Sequence, residues 1–348
     1  MKKTFLAILV AATLVACAKE DVISQNNEAI GFKQAFVDNS VRSVVDPSLT
    51  AATLTDFAVY GTVENADLFN CIRVAQDITN TELTSEWKYA GTQYWIAGAK
   101  YNFAAIAPYA KGVEGAFTVA KNGEDYVGTT TLTDYVNDNT DLLYAQNAQV
   151  TGAVSGNAKV AFTFKHVLSK VKFSFENGYN ASTAKIAVRA IKIVNAYTDA
   201  DVALNLSGAT WSGWNGSKTL DFSHATDGNN DVVDDVVVAD AFAYGTTLES
   251  YNEMLLIPTT TKTYNIEFVV DLYVNDVLIK EYPHTATVVF APEAGKSYNI
   301  TAVVDAENID PQNKQEPIEF TVTKIDEWAT GADQTATIPE GTVQVPGN

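Results

Sequence analysis

Cysteine is nearly missing from this chain: of 348 residues only Cys17 and Cys71 carry a thiol. If Cys17 is taken by a modification, no disulfide can form within the chain. Cys71 then reads as a small apolar filler in a strand, because no histidine near it in sequence would make a catalytic thiol. Histidine is scarce as well. His166, His224 and His284 lack metal-ligand spacing, and each reads as an ordinary core or surface residue. Basic residues are few, 23 against 42 acids, for a formal charge of −19. Such a surface repels phosphate backbones and anionic lipid headgroups, which excludes nucleic-acid partners and electrostatic membrane docking. The acidity itself reads as solubility outside the cell. There is no Gly-x-Ser-x-Gly, P-loop, dinucleotide fingerprint or His-Glu-x-x-His, and no pair of carboxylates is singled out for acid–base work, so no enzyme is expected. Asp227-Gly228-Asn229-Asn230-Asp231 opens like a calcium loop. Its twelfth position is Val238 instead of a bidentate Glu, so the stretch reads as a solvated acidic turn. No cofactor is expected.

Long apolar runs are also lacking, save one. Residues 5–15 are apolar except for Thr13, follow the basic Met1-Lys2-Lys3, and are too short to span a bilayer. Leu14-Val15-Ala16-Cys17 then reads as a lipoprotein signal, with cleavage before Cys17 and acyl chains on its thiol and new amine. Several chains hold firmly, since each buried CH₂ contributes ~0.8 kcal/mol. The competing reading is an ordinary secretion signal with an incidental cysteine. Losing Lys2 and Lys3 with the leader takes the charge from −19 to −21. Ala18-Lys19-Glu20-Asp21 is similar to the surface-export signal of Bacteroidota lipoproteins.

What the chain has in quantity favours strands. Hydrophobic residues make up 47% and charged residues 19%, with 16 Tyr and 16 Phe, enough for a sizeable core in about two domains. Residues 30–37 read as a lone strand with Ile30, Phe32 and Phe36 on one face. Residues 38–42 read as an exposed, cuttable loop ending in Arg42-Ser43. Residues 54–63 form a strand with Phe57, Val59 and Val63 together. Residues 94–109 form an aromatic strand pair, or one strand bent at Gly98, with Pro108 at its end. Residues 142–145 are a short buried run. Residues 151–157 are small and Gly-rich, and read as the linker. In residues 159–176 two alternating strands meet at His166-Val167-Leu168-Ser169. Residues 264–272 and 277–280 flank a hairpin turn at Asn275-Asp276. Residues 318–325 alternate again, with Ile318, Phe320 and Val322 on one face, and residues 335–345 are a last strand pair. Trp87 and Trp95, and Trp211 and Trp214, read as core or junction plugs, with a sugar-stacking platform as the alternative.

Taken in order, these stretches resemble the fimbrillins, the type V pilins of Bacteroidia. The resemblance is carried by the leader, the strand ending in Arg42, Phe57-Ala58-Val59-Tyr60-Gly61, Tyr101-Asn102-Phe103 before Pro108, and Asp141-Leu142-Leu143-Tyr144-Ala145. It continues through Phe164-Lys165-His166-Val167-Leu168-Ser169-Lys170-Val171, Leu255-Leu256-Ile257-Pro258, Ala294-Gly295-Lys296-Ser297-Tyr298 and the closing strand before Trp328. It implies an all-β fold of two tandem transthyretin-like β-sandwich domains with few short helices. The implied plan is a signal peptide over 1–16, a tether and removable first strand over 17–42, sandwiches over 43–156 and 157–310, and a donor arm over 311–348. It further implies a lipid at Cys17, a cut by an Arg-specific protease between Arg42 and Ser43, and loss of the first strand. The opened groove would then take a strand from another subunit, with Ile318, Phe320, Val322 and Ile325 as its anchors. Partners would be other pilin subunits, anchor and tip proteins, and the outer membrane through the lipid. The expected function is a structural pilus subunit for cell adhesion. The alternatives are an anchor subunit that keeps its lipid and first strand, a tip subunit that donates no strand, and a surface glycan-binding lipoprotein using Trp211.

Overall fold

The computed structural model describes residues 25–33, 36–37, 54–76, 87–222, 225–226, 232–233, 241–250, 252–309, 317–325 and 336–337. Cys17, Arg42, Ser43, His224 and most of the acidic stretch at 227–235 lie outside them. The architecture is an all-β sandwich. Among the described residues two one-turn helices, Tyr109–Gly112 and Ala306–Ile309, are the helical elements.

The first sheet is laid down by the first half of the chain. Asp56–Val63 and Lys100–Ala107 pair antiparallel at its centre, with Ala66–Gln76 outside one and Leu143–Gln146 outside the other. Both central strands are buried along nearly their whole length. That departs from one-faced alternation, and the sequence explains it: FAVY and FAAIA carry no polar residue at either parity. One face, with Phe57, Val59 and Phe103, joins the aromatic core of the first half. The other, with Ala58, Tyr60, Ala104 and Ile106, packs on a second, four-stranded sheet.

That four-stranded sheet joins the two halves of the sequence. Ala116–Asn122 and Asp125–Val136 come from the first half, Asp199–Asn205 and Gly208–Asn215 from the second, and Asp199–Asn205 pairs with Asp125–Val136. The rest of the second half forms a sandwich of its own. One layer holds Ser169–Asn177, Ser297–Val304 and Phe320–Ile325, and the other Lys218–Asp221, Ala184–Ala196, Lys262–Val274 and Val277–Phe290. Its core includes Phe173, Phe175, Phe268 and Phe320.

The stretch read as a linker is tied into the first half. Val150–Thr151 pairs with Lys100–Ala107, and Gly152 donates to the carbonyl of Ala99 at 2.9 Å. A Cβ at Gly152 would lie 2.3 Å from the backbone oxygen of Ile96, so only glycine fits there. Beyond it, Thr163–His166 still belongs to the first sheet, beside Leu143–Gln146. The chain crosses to the second sandwich at Val167 and Leu168, because the next strand, Ser169–Asn177, pairs with Ser297–Val304. The two alternating strands of 159–176 are therefore consecutive but not paired with each other.

Candidate functional site

The N-terminal segment is threaded between two parts of the first half. Gln25–Ala29 runs antiparallel to Tyr94–Ile96, and the N–H of Ile30 donates to the carbonyl of Gln93 at 2.7 Å. On the other side the carbonyl of Gly31 accepts from Val160 N–H at 2.8 Å, and Lys33 N–H donates to the carbonyl of Val160 at 2.9 Å. Phe36–Val37 then pairs in parallel with Thr163–His166. The Tyr89 hydroxyl donates to the carbonyl of Ile30 at 2.7 Å. Such bonds stabilise by roughly 0.5–1.5 kcal/mol each.

Side chains complete the slot. Ile30 is 0% and Phe32 1% exposed. The Phe32 ring lies edge-on to Tyr89 at 5.5 Å, tilted on Phe69 at 5.9 Å and stacked on Phe162 at 6.0 Å. Full burial of two such side chains is worth about 1.5–3 kcal/mol apiece. Glu28 enters by its carboxylate: Gly156 N–H donates to Oε1 at 2.7 Å, and Asn157 donates to Oε2 from its N–H at 2.7 Å and from Nδ2 at 2.9 Å. Sequence reasoning placed the strand at 30–37, whereas its ladder is Gln25–Ala29, with a bridge at Phe32 and a short pair at Phe36–Val37. It had Ile30 and Phe32 on one inward face but missed Glu28, Tyr89 and Asn157. No periodicity marks them, because each acts across a long loop.

The donor residues predicted from sequence lie in the second sandwich. Phe320–Ile325 pairs antiparallel with Ser297–Val304, from Ala302 opposite Phe320 to Ser297 opposite Ile325. Ile318 is buried, Phe320 packs on Phe173, Phe175 and Phe268, and Val322 lies against the same core. Ala336–Thr337 pairs with Thr323 and Lys324.

The remaining candidates serve the interior. Trp87 and Trp95 are core residues, Trp211 packs edge-on to Tyr135, and Trp214 donates from its indole N–H to Pro258. His166 pairs with Asp141 at 2.8 Å, both buried. His284 stacks on Phe268 at 5.2 Å, and burial brings its imidazole down to about 4. Burial raises the Cys71 thiol and the phenols of Tyr60, Tyr135, Tyr144 and Tyr264, holding all five protonated. These shifts favour neutral, inert groups. Among the described residues no cluster of three His, Cys, Asp or Glu side chains could hold a metal, and no helix is long and apolar enough to cross a membrane.

The fimbrillin-like family model matches residues 43–328. The chain belongs to the fimbrillin-like family. Family membership makes it a structural, fimbrial protein and not an enzyme. A search of curated proteins found no match. Among solved structures it is similar to a proposed cell adhesion protein from Bacteroides uniformis, at 17% identity over 86% of this chain and 99% of that one, with a TM-score of 0.43. A proposed cell adhesion protein from Bacteroides ovatus gives 16% identity, 88% and 99% coverage and a TM-score of 0.44. The fimbrial anchor protein Mfa2 from Porphyromonas gingivalis gives 12% identity, 85% and 97% coverage and a TM-score of 0.34. Membership rests on the family match and not on these distant likenesses.

Proposed function

We propose that this fimbrillin-like chain is a pilus subunit that is exported as a lipoprotein on Cys17, loses its first strand by cleavage between Arg42 and Ser43, and polymerises by taking up a strand from a second copy. The observation that carries this reading is the slot itself. A segment upstream of Arg42 fills the first half's core with Ile30 and Phe32 and is paired on both sides. Removing it uncovers Phe69, Tyr89 and Phe162 and leaves backbone groups of residues 93 and 160 without partners, a costly state that selects an alternating apolar strand. The family match begins at Ser43, the residue after the proposed cut. The donor arm is 311–348, and lipid on Cys17 places the precursor in the outer membrane facing outward.

The burial of Ile318 and Phe320 in their own core bears on which part of the arm is donated. In the free subunit residues 318–325 complete the second sandwich. Donating them is a swap of one aromatic setting for another, whereas donating residues beyond 325 leaves that sandwich whole.

The test is to treat purified precursor with an Arg-specific protease. The expected result is a new N-terminus at Ser43 and a ladder of polymers that resist SDS. An uncut Arg42, or a cut chain that stays monomeric, overturns the reading. Truncation after Ile325 assigns the donor: polymers that persist place it in 318–325, and polymers that vanish place it beyond. The anchor reading differs by retaining its first strand and starting at lipidated Cys17. The glycan-binding alternative loses ground because Trp211 is 9% exposed and packed on Tyr135.

A further inference from the structure

We propose that the turn at Gly156-Asn157 is a carboxylate receptor that sets the register of whatever strand occupies the first slot, admitting strands that carry an acid two residues ahead of their first buried apolar side chain. It rests on the reading of the N-terminal segment as a removable strand.

Three donors converge on one carboxylate. Gly156 N–H takes Oε1 of Glu28, and Asn157 N–H and Nδ2 share Oε2, all between 2.7 and 2.9 Å. The receptor is also braced by bonds of its own. Ala153 N–H donates to Oδ1 of Asn157 at 2.8 Å, and Asn157 Nδ2 donates back to the carbonyl of Ala153 at 3.1 Å, which closes the turn on itself. Gly156 has φ +75°, a conformation favourable to glycine, and consecutive N–H groups beside such a residue form a concavity that suits an anion. The adjoining Gly152, where a Cβ would meet the backbone of Ile96, fixes the base of the turn on the first half.

Register is the function that such a contact serves. Ile30 and Phe32 alone specify which face of a strand turns inward, since that has a period of two. An apolar strand shifted by two residues satisfies that pattern equally well. A carboxylate met by three donors at one place does not tolerate the shift. The spacing Glu-x-Ile-x-Phe occurs twice in the chain, as Glu28-Ala29-Ile30-Gly31-Phe32 and as Glu316-Pro317-Ile318-Glu319-Phe320. In the second copy of the pattern Ile318 and Phe320 share one face, as Ile30 and Phe32 do. The strand of a second copy that meets the receptor's rule is therefore the one beginning at Glu316.

The full chain, with a site-specific protease sequence in place of residues 38–42, is cut and then offered labelled peptides, followed by fluorescence anisotropy. Peptide 25–37 is expected to exchange into the slot. Its Glu28→Gln form, which keeps shape but not charge, should bind about 10- to 100-fold more weakly, as loss of charged hydrogen bonds predicts. A form with the Glu moved by one residue should be equally weak. Peptide 314–325 should bind, and its Glu316→Gln form should lose affinity by a similar factor. In the Asn157→Asp protein the preference for Glu over Gln should vanish. Glu and Gln peptides within twofold of each other overturn the receptor while leaving the removable strand standing. No binding by 314–325 where 25–37 binds overturns the selection of a second copy by this rule. If no peptide exchanges at all, the removable-strand reading itself fails.

Discussion

Phe32 ties its segment to the first half at three points, since its ring meets Phe69, Tyr89 and Phe162 at once. Phe32→Ala in the uncut chain is expected to lower stability by about 3–5 kcal/mol, read as a shift in denaturant midpoint. A loss below about 1 kcal/mol would mean that the slot closes over the gap. His284 gives a residue-scale test by pH. Its imidazole is free to take a proton near 6.5 when unfolded but only near about 4 when folded, because burial against Phe268 disfavours the cation. Between those values the unfolded chain binds more protons. The contribution of neutral His284 is therefore fully present above about pH 6.5 and is lost as pH falls toward 4, a change of about 2–3 kcal/mol. His284→Phe should flatten the fall in stability between pH 6.5 and 5 relative to wild type. Identical slopes in the two proteins would show the site to be wetter than its packing indicates.

At the scale of the element, the hairpin of Lys262–Val274 and Val277–Phe290 is the plainest case of sequence dictating structure. Asn275 and Asp276 both take positive φ, 50° and 61°, the geometry of a two-residue turn that matches strand twist. Glycine is the preferred residue at the second position. Asp276→Gly relieves the left-handed Asp and gives up its ion pair with Lys185, whose two side chains are 40% and 63% exposed. Such an exposed pair is worth little, so the substitution is expected to stabilise by about 0.5 kcal/mol, read as a small rise in Tm. A fall in Tm would make the ion pair the stronger of the two. Turn residues and alternation made this hairpin legible from sequence, as alternation did Phe320–Ile325. The destination of each strand was not legible. Thr163–His166 and Ser169–Asn177 read as two strands joined at a short bend, and nothing in their pattern says that the bend at Val167-Leu168 sends them to different sheets. The Gly-rich stretch around 151–157 looks like a linker, because a backbone that receives a distant carboxylate has the same composition as one that receives water. Partners across long loops leave no period to read.

At the scale of the whole molecule, the halves are joined by shared strands and by polar groups held at the join. Asp199–Asn205 from the second half pairs with Asp125–Val136 from the first. Asn137 Nδ2 donates to the carbonyl of Leu255 at 2.7 Å, and Asn139 Oδ1 accepts from Leu255 N–H at 2.8 Å. Leu255 lies opposite Lys170 in its sheet, so Lys170 faces the same join, and its ammonium meets Glu253 at 3.0 Å with the side chains 5% and 7% exposed. Removing one partner of such a pair leaves a charge in a dry place. Glu253→Gln or Lys170→Met should each destabilise by about 3–5 kcal/mol, whereas Lys170→Met with Glu253→Leu should recover most of that loss. Because the join couples both halves, unfolding of the wild type and of all three variants should remain one transition by tryptophan fluorescence and by circular dichroism, with shifted midpoints and an unchanged slope. Single variants that cost less than about 1 kcal/mol would place water at the join, where a paired charge contributes little. A second transition would show that Asp199–Asn205 can leave Asp125–Val136 while each half stays folded. If the first strand is lost as proposed, a subunit whose halves unfold together would present the emptied slot on a rigid frame, and the ordering cost of taking up a second copy's strand would fall on the strand alone.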